Sequence, residues 1–171
     1  MATQVTRTAV GPIVTVAMEQ AFPREKRLLD DEVADALKTG IVQVLNLGAG
    51  WDSRAYRLPG HRGARVFEVD LPERTEAKRK KLEHLFGRVP ENVMLVPIDI
   101  DREDLDEALR SHGYRPAEKT LFVWEGVTQY LTEAGVRRTL AAIAKAPPGS
   151  RLVFTYVQRI DRAGKLWSLV T

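Results

Sequence analysis

Five short apolar runs alternate with segments of helical periodicity, and this alternation constrains the fold more than any other feature of the sequence. The runs are rich in β-branched residues and lie at residues 41–47, 65–70, 93–98, 121–125 and 151–157. Between them, apolar residues recur at helical spacing in the segments 73–86, 103–112 and 132–146. Strands that alternate with helices favour right-handed βαβ units, so the sequence predicts an α/β fold with a parallel sheet and helices on both faces.

The chain length suits one domain. A chain of 171 residues with 44% hydrophobic residues can bury a substantial core but is short for two ordinary domains. We expect a single domain in which residues 1–40 form an N-terminal helical segment, residues 41–157 form a Rossmann-like core, and residues 158–171 form a tail.

Composition excludes several classes of site and partner. The chain has no cysteine, which excludes disulfides, thiolate metal sites and a cysteine nucleophile. Its three histidines are far apart without metal-ligand spacing, so we expect no metal site and surface positions for all three. Lys and Arg number 26 against 23 Asp and Glu, a small surplus that gives little reason to expect nucleic acid as a partner. The basic run at 78–81 is expected on the solvated face of its helix.

The sequence also lacks the features of membrane and secreted proteins. No apolar run approaches the roughly 20 residues of a membrane-spanning helix. The first ten residues do not form the apolar core of a signal peptide. We therefore expect a soluble, cytoplasmic protein with no membrane partner.

The first apolar run ends in a glycine turn, Gly48-Ala49-Gly50, which allows a tight turn and close approach of a ligand. Twenty residues after Gly50, the second run ends at Asp70. A carboxylate at that position can accept hydrogen bonds from a ribose diol. The glycine pair and this acid together favour a cofactor that contains adenosine.

The residues after the turn discriminate between such cofactors. The dinucleotide fingerprint needs a third glycine where this chain has Ser53, and Asp52 would repel a pyrophosphate. The P-loop lysine is also missing. S-adenosylmethionine (SAM) carries adenosine without phosphate and has cationic sulfonium and amino groups, which suit the carboxylates Asp70, Asp99 and Glu125 at three predicted strand ends.

Five motifs in order resemble the leucine carboxyl methyltransferase family of class I SAM-dependent methyltransferases. They are VLNLGAGWDSRAYRL at 44–58, VFEVDLPE at 66–73, VPIDIDREDL at 96–105, FVWEGVTQYLTEAGV at 122–136 and PGSRLVFTYV at 148–157. The similarity extends more loosely to residues 7–23. The family's class I fold implies a Rossmann-like sheet in the strand order 3-2-1-4-5, where strand one is the run at 41–47.

The resemblance also implies roles for individual residues. The turn at Gly48, Ala49 and Gly50 would lie against the methionine part of SAM, and Asp70 would hold the ribose hydroxyls. Asp99 and Ile100 would contact the adenine. Glu125 would lie near the amino group of the cofactor, and Arg27 would bind the carboxylate of the cofactor.

The chain departs from the family after its fifth strand. The class I sheet usually continues with an antiparallel hairpin, and residues 158–171 hold too few apolar residues for both strands. We therefore predict a core without the full C-terminal hairpin. The outer edge of the run at 151–157 would then be covered by the tail or by a second subunit in a homodimer.

Three functions remain open on the sequence. The first is a SAM-dependent O-methyltransferase acting on a carboxylate or hydroxyl of a small molecule or peptide. No catalytic residue is assigned, and Tyr130 is a weak candidate that could orient the acceptor or pack under the sheet. The second is a non-catalytic SAM-binding or interaction module. The third, a nicotinamide-dependent oxidoreductase, has the least support because no matching catalytic motif is present.

Overall fold

The structure is a computed structural model that describes residues 5–10, 13–19, 25–156, 159–160 and 166–167. Within these residues the main sheet has seven strands, namely β1 (Val5–Val10), β2 (Ile13–Glu19), β3 (Gln43–Leu47), β4 (Arg65–Asp70), β5 (Val93–Pro97), β6 (Thr120–Trp124) and β7 (Arg151–Tyr156). The α-helices are α1 (Glu25–Leu37), α2 (Arg54–Arg57), α3 (Pro72–Phe86), α4 (Leu105–Ser111) and α5 (Glu133–Ile143). The structure also has 3₁₀ turns at Pro59–Gly63 and Thr128–Tyr130.

The strand order confirms the predicted core. The sheet runs β1-β2-β7-β6-β3-β4-β5, and all pairs from β7 to β5 are parallel. Counted from β3 as strand one, this is the predicted order 3-2-1-4-5. The chain leaves β3 towards β4 on one side and returns to β6 on the other, so the order of strands reverses between β3 and β6. Ligands in such folds bind at the carboxyl ends of the strands beside this reversal.

Helices cover both faces of the parallel core. Leu29, Val33 and Ala36 of α1 and Leu82 of α3 pack in one buried apolar cluster with β3, β4, β6 and β7. On the opposite face, Leu105 and Leu109 of α4 and Ile143 of α5 pack in a second cluster. All five residues of β3 and of β6 are buried, as expected for central strands of a sheet with two covered faces.

Local signals in the sequence set the helix limits near the strand ends. Pro72 begins α3, where its missing N–H costs no hydrogen bond, and Gly87 ends it with a φ of +75°. Asp104 caps α4 by accepting from the N–H of Glu107, and Thr132 caps α5 by accepting from the N–H of Gly135. These caps fix where each helix starts after its strand.

The N-terminal part of the chain differs from the prediction. Residues 1–40 are predicted to be helical, but in the part of this segment that the structure describes, helix is found only at Glu25–Leu37. Residues Val5–Val10 and Ile13–Glu19 instead form an antiparallel hairpin. The physical reason lies in their composition, because Val, Ile and Thr recur through both segments and favour extended backbone.

The outer edge of β7 is covered by this hairpin. Strand β2 pairs in parallel with β7 from Val14 opposite Arg151 to Glu19 opposite Tyr156. The prediction that the tail or a second subunit covers this edge is therefore wrong. Within the tail, Arg159–Ile160 (β8) and Leu166–Trp167 (β9) form an antiparallel pair in a sheet of their own. A short C-terminal hairpin thus exists, contrary to expectation, but it does not extend the main sheet.

Among the described residues, no helix is long and apolar enough to cross a membrane.

Candidate functional site

The glycine turn after β3 has the geometry that its sequence predicts. Gly48 and Gly50 have φ angles of +67° and +42°, in the left-handed region that disfavours side chains. The N–H groups of Gly48 and Ala49 donate to the carbonyl oxygen of Val69 at 2.8 and 2.9 Å. A Cβ atom on Gly48 would lie 2.3 Å from Cγ2 of Val127, which follows β6. Gly48 is therefore required by its backbone angle and by the close approach of the next loop.

The turn is joined directly to the end of β4. The N–H of Gly50 donates to Oδ2 of Asp70 at 2.6 Å, and the N–H of Leu71 donates to Oδ1 at 2.8 Å. The Asp70 side chain is only 13% exposed. Each carboxylate oxygen can accept a second hydrogen bond. The structure thus brings together the glycine pair and the acid that the sequence analysis paired, and it fixes the orientation of the carboxylate.

The predicted adenine-contacting residues lie after β5, at the same edge of the sheet. Oδ1 of Asp99 accepts from the N–H of Asp101 at 3.0 Å, so this carboxylate stabilises its own turn. Ile100 is buried and packs in the apolar cluster of α4 and α5. The next residue, Asp101, accepts from the hydroxyl of Thr132 at 2.7 Å and thereby ties this loop to the start of α5.

A buried arginine lies at the centre of the site, and the sequence analysis did not identify it as a functional residue. Arg54, the first residue of α2, is 5% exposed. Its Nε donates to Oδ1 of Asp30 at 2.9 Å, its Nη1 donates to Oδ2 of Asp52 at 2.6 Å, and its Nη2 donates to Oε2 of Glu125. The only signal for it in the sequence is Asp52, the acid two residues before it, whose charge also disfavours a phosphate at this turn.

The charges in this cluster stabilise one another. Burial alone would lower the pKa of Arg54, but Asp52 and Glu125 outweigh that effect and raise it. Burial alone would raise the pKa of Asp30, and hydrogen bonds from Arg57 and Arg54 lower it instead. Arg54 and Asp30 therefore both stay ionised, although Arg54 is almost completely buried.

Arg27 belongs to α1, and its side chain lies outside the described residues. It precedes Asp30 by three residues in the same helix. Positions three apart lie on one face of a helix, so Arg27 occupies the face from which Asp30 reaches Arg54.

Tyr130 does not pack under the sheet. It is 80% exposed in the 3₁₀ turn after β6, at the carboxyl edge of the strands. This leaves its hydroxyl available to solvent beside the site.

A second buried network lies beneath the glycine turn. Nζ of Lys78 donates to the carbonyl oxygen of Asp52 at 3.0 Å and pairs with Oε2 of Glu68 at 2.8 Å. The hydroxyl of Tyr56 donates to the same Glu68 oxygen at 2.6 Å. Lys78 is 4% exposed. The expectation that the run 78–81 is solvated is therefore wrong for Lys78, while the other three residues are exposed.

The chemistry of the edge is anionic. Carboxylates from α1, the turn and the ends of β4, β5 and β6 lie there, namely Asp30, Asp52, Asp70, Asp99 and Glu125. Among side chains that the structure describes, no group of three or more His, Asp or Glu is arranged to hold a metal ion. Such an edge suits an organic cation with hydrogen-bond donors.

Comparison with known proteins identifies relatives of this chain. Residues 10–144 match the sequence model of the leucine carboxyl methyltransferase family. A protein of Mycobacterium marinum is 35% identical over 153 residues, which cover 89% of this chain and 46% of the relative. A protein of Mycobacterium tuberculosis H37Rv is 40% identical over 127 residues, which cover 74% and 36%. Both bear the provisional name S-adenosyl-L-methionine-dependent methyltransferase. The chain spans less than half the length of either.

Solved structures show a similar fold. A provisionally named methyltransferase from Thermobifida fusca aligns with a TM-score of 0.58 and 24% identity, over 74% of this chain and 49% of its own. An O-methyltransferase family protein from Burkholderia thailandensis aligns with a TM-score of 0.52 and 20% identity, over 76% and 37%. At this level of identity the likeness concerns the fold alone, and it agrees with the Rossmann-like core.

Proposed function

Because this chain belongs to the leucine carboxyl methyltransferase family, we propose that it binds S-adenosylmethionine at the carboxyl ends of β3 to β6 and serves methyl transfer. The observation that carries the proposal is the hydrogen bond of 2.6 Å between the N–H of Gly50 and Oδ2 of Asp70. It joins the close-approach turn to an oriented carboxylate beside the point where the strand order reverses.

The residues at this edge fit the groups of SAM. The turn at Gly48, Ala49 and Gly50 offers a surface without side chains to the methionine part. Asp70 takes the ribose hydroxyls with its remaining acceptor positions, and Asp99 accepts from the exocyclic amine of adenine beside Ile100. Glu125 binds the ammonium group, and Arg27 binds the carboxylate of the amino-acid end.

The local structure after β3 argues against a dinucleotide. A pyrophosphate needs the N-terminus of a helix with free N–H groups. Here α2 has four residues, and the N–H of Arg54 already donates to Oδ1 of Asp52 at 2.8 Å. The carboxylate of Asp52 would also repel phosphate. A nicotinamide cofactor is therefore disfavoured by the same residues that suit a cation.

The acceptor is an oxygen nucleophile of a small molecule or peptide, and a carboxylate is favoured over a hydroxyl. SAM supplies an electrophilic methyl group on sulfonium, so the chain's contribution is to bind and orient both molecules. A carboxylate needs no general base. The described residues at the strand ends include no histidine, since His61 lies in a 3₁₀ turn on the amino-terminal side of β4. Tyr130 is placed to orient an acceptor from the solvent side.

The binding step is tested by calorimetric titration of the 171-residue chain with S-adenosylhomocysteine and, separately, with NAD. We expect binding of the first only. Replacing Asp70 by Ala removes the ribose acceptor and should weaken binding by about 1.5–3 kcal/mol, the range for hydrogen bonds to charged groups. The control is Glu91→Gln, at an exposed carboxylate paired only with Arg88 among the contacts described. Unchanged binding by the Asp70 variant would contradict the ribose assignment.

Methyl transfer is tested separately, with labelled SAM and a panel of carboxylate and hydroxyl acceptors. Transfer to carboxylates is the expected result. A chain that binds S-adenosylhomocysteine but transfers to no acceptor would instead be a non-catalytic SAM-binding module.

A further inference from the structure

We propose that Arg54 is a positioning residue for the amino-acid end of the cofactor, because it holds Glu125 and the helix of Arg27 in one rigid arrangement. This inference rests on the proposed function, in which Glu125 binds the ammonium group and Arg27 the carboxylate.

The guanidinium group connects three separate parts of the chain. Its three nitrogens each bind a different carboxylate, Asp30 in α1, Asp52 in the turn after β3, and Glu125 at the end of β6. Asp52 is further held by the side chain of Asn46 at 2.8 Å. Helix α1 and the end of β6 are thereby fixed to the glycine turn through a single side chain.

Arginine is required for this geometry. Its planar group presents N–H donors in a fixed fork, whereas the lysine ammonium is a compact charge on a flexible stem. With 5% exposure, Arg54 is shielded from water that could replace a lost contact. A lysine at this position keeps the charge but cannot reach the three carboxylates in these directions.

The cluster keeps a negative charge for a ligand. Asp30, Asp52 and Glu125 carry three negative charges, and Arg54 with Arg57 supplies two positive ones. The remaining negative charge suits the ammonium group of an amino acid. Arg54 orients Glu125 without neutralising the cluster.

The same contact sets the position of α1. Asp30 reaches Arg54 from the helix face that Arg27 shares, one turn earlier. If the pair of Arg54 and Asp30 is lost, α1 loses its link through Arg54 to Asp52 and Glu125, although Asp30 remains paired with the more exposed Arg57 of α2. Both groups that hold the amino-acid end then lose their common support, while Asp70 and Asp99 keep their own hydrogen bonds.

Because different residues hold the amino-acid end and the adenosine end of the cofactor, two probes can test the two ends separately. S-adenosylhomocysteine contains the amino-acid end, and 5′-methylthioadenosine contains the adenosine and sulfur without it. Calorimetric titration of the full chain with both should show that Arg54→Lys raises the dissociation constant for S-adenosylhomocysteine about tenfold. The constant for methylthioadenosine should change less than about twofold. The matched control is Arg79→Lys, at a half-exposed arginine of α3 paired with Glu76.

The outcomes separate the two proposals. If the unmodified chain binds neither probe, the proposed function fails. If it binds both, and Arg54→Lys changes the two constants equally or not at all, SAM binding stands and the positioning role is overturned. A general loss of structure would weaken both probes, so the selective loss is specific to the inference.

A second variant keeps the test valid if Arg54→Lys does not fold. Asp30→Asn removes one carboxylate at the partly exposed α1 end and leaves Arg54 paired with Asp52 and Glu125. This variant should also weaken the binding of S-adenosylhomocysteine selectively, by a smaller factor than Arg54→Lys does. Equal effects on both probes would overturn the inference.

Discussion

Lys78 and Glu68 form an ion pair in which both side chains are almost completely buried. The sequence predicts that Lys78 is exposed to solvent like its basic neighbours, because a run of like charges usually lies on the solvated face of a helix. Its actual face follows from helical spacing, since Thr75, Lys78 and Leu82 lie three and four residues apart and are all buried in α3. A buried lysine is not visible in the sequence, because its partner Glu68 lies in another element.

His61 is a second residue whose burial the sequence does not reveal, and this burial makes the stability of the protein depend on pH. It was expected at the surface but is 2% exposed, and its Nδ1 has no hydrogen-bond partner. Burial lowers the pKa of His61 below 6.5, the charges of Arg54 and Arg57 act in the same direction, and that of Asp52 opposes them. The unfolded chain therefore binds a proton at a pH where the folded chain does not.

We therefore expect His61 to contribute stability that is fully present above about pH 6.5 and lost as the pH falls below it. The free energy of unfolding, measured with urea from pH 7.5 to 5, should fall by up to about 1.4 kcal/mol per pH unit from this group. His61→Gln should remove that part of the slope, and His84→Gln, at an exposed position in α3, should retain it. Identical slopes in all three chains would show that His61 does not titrate in this way.

At the scale of elements, the start of α5 is joined to the loop after β5 by Asp101, and a glycine makes room for it. A Cβ atom on Gly135 would lie 1.9 Å from Oδ1 of Asp101, the atom that accepts from the Thr132 hydroxyl. Alanine inside a helix usually stabilises by up to about 1 kcal/mol relative to glycine.

Here the sign should reverse. Gly135→Ala forces Asp101 from its hydrogen bonds and should lower the free energy of unfolding by about 1–3 kcal/mol. Gly63→Ala is the control, since a Cβ there meets nothing within 4 Å. Thermal or chemical unfolding measures both. A Gly135→Ala chain as stable as the original would mean that the loop after β5 shifts without cost.

The elements themselves were predictable to within a few residues. The apolar runs expected at 65–70 and 151–157 correspond to β4 and β7, because a strand buried on both faces needs continuous apolar sequence. The order of the core strands followed from the family resemblance. The β1–β2 hairpin was missed because its pairing with β7 joins residues far apart in the sequence, which periodicity does not reveal.

The candidate site was also predictable only in part. The turn at Gly48 to Gly50 and its partner Asp70 end two consecutive strands, β3 and β4, so their spacing in the sequence predicts that they meet. Arg54 and its carboxylates come from three separate parts of the chain, and only the folded structure shows that they meet.

At the scale of the whole molecule, the hairpin protects the sheet. Strand β2 occupies the edge of β7, whose backbone groups would otherwise be open to pairing with another chain. A chain that starts at Glu25 should therefore self-associate, seen as a larger mass by light scattering than for the intact chain. A chain that ends at Gln158 is the control and should have the oligomeric state of the intact chain. If the chain lacking the hairpin keeps the original state, the edge of β7 needs no cover.

The pairing of β2 with β7 also has a consequence for the order of events on the ribosome. Val14 pairs with Arg151, so the first strands are synthesised long before their partner exists. At roughly 5–20 residues per second, the interval is about 7 to 27 s. During that time the parallel core from β3 to β6 can form on the nascent chain, while the hairpin remains without its partner strand β7. We expect the hairpin to join the sheet last, and a chaperone that recognises extended apolar segments would find it exposed until β7 emerges.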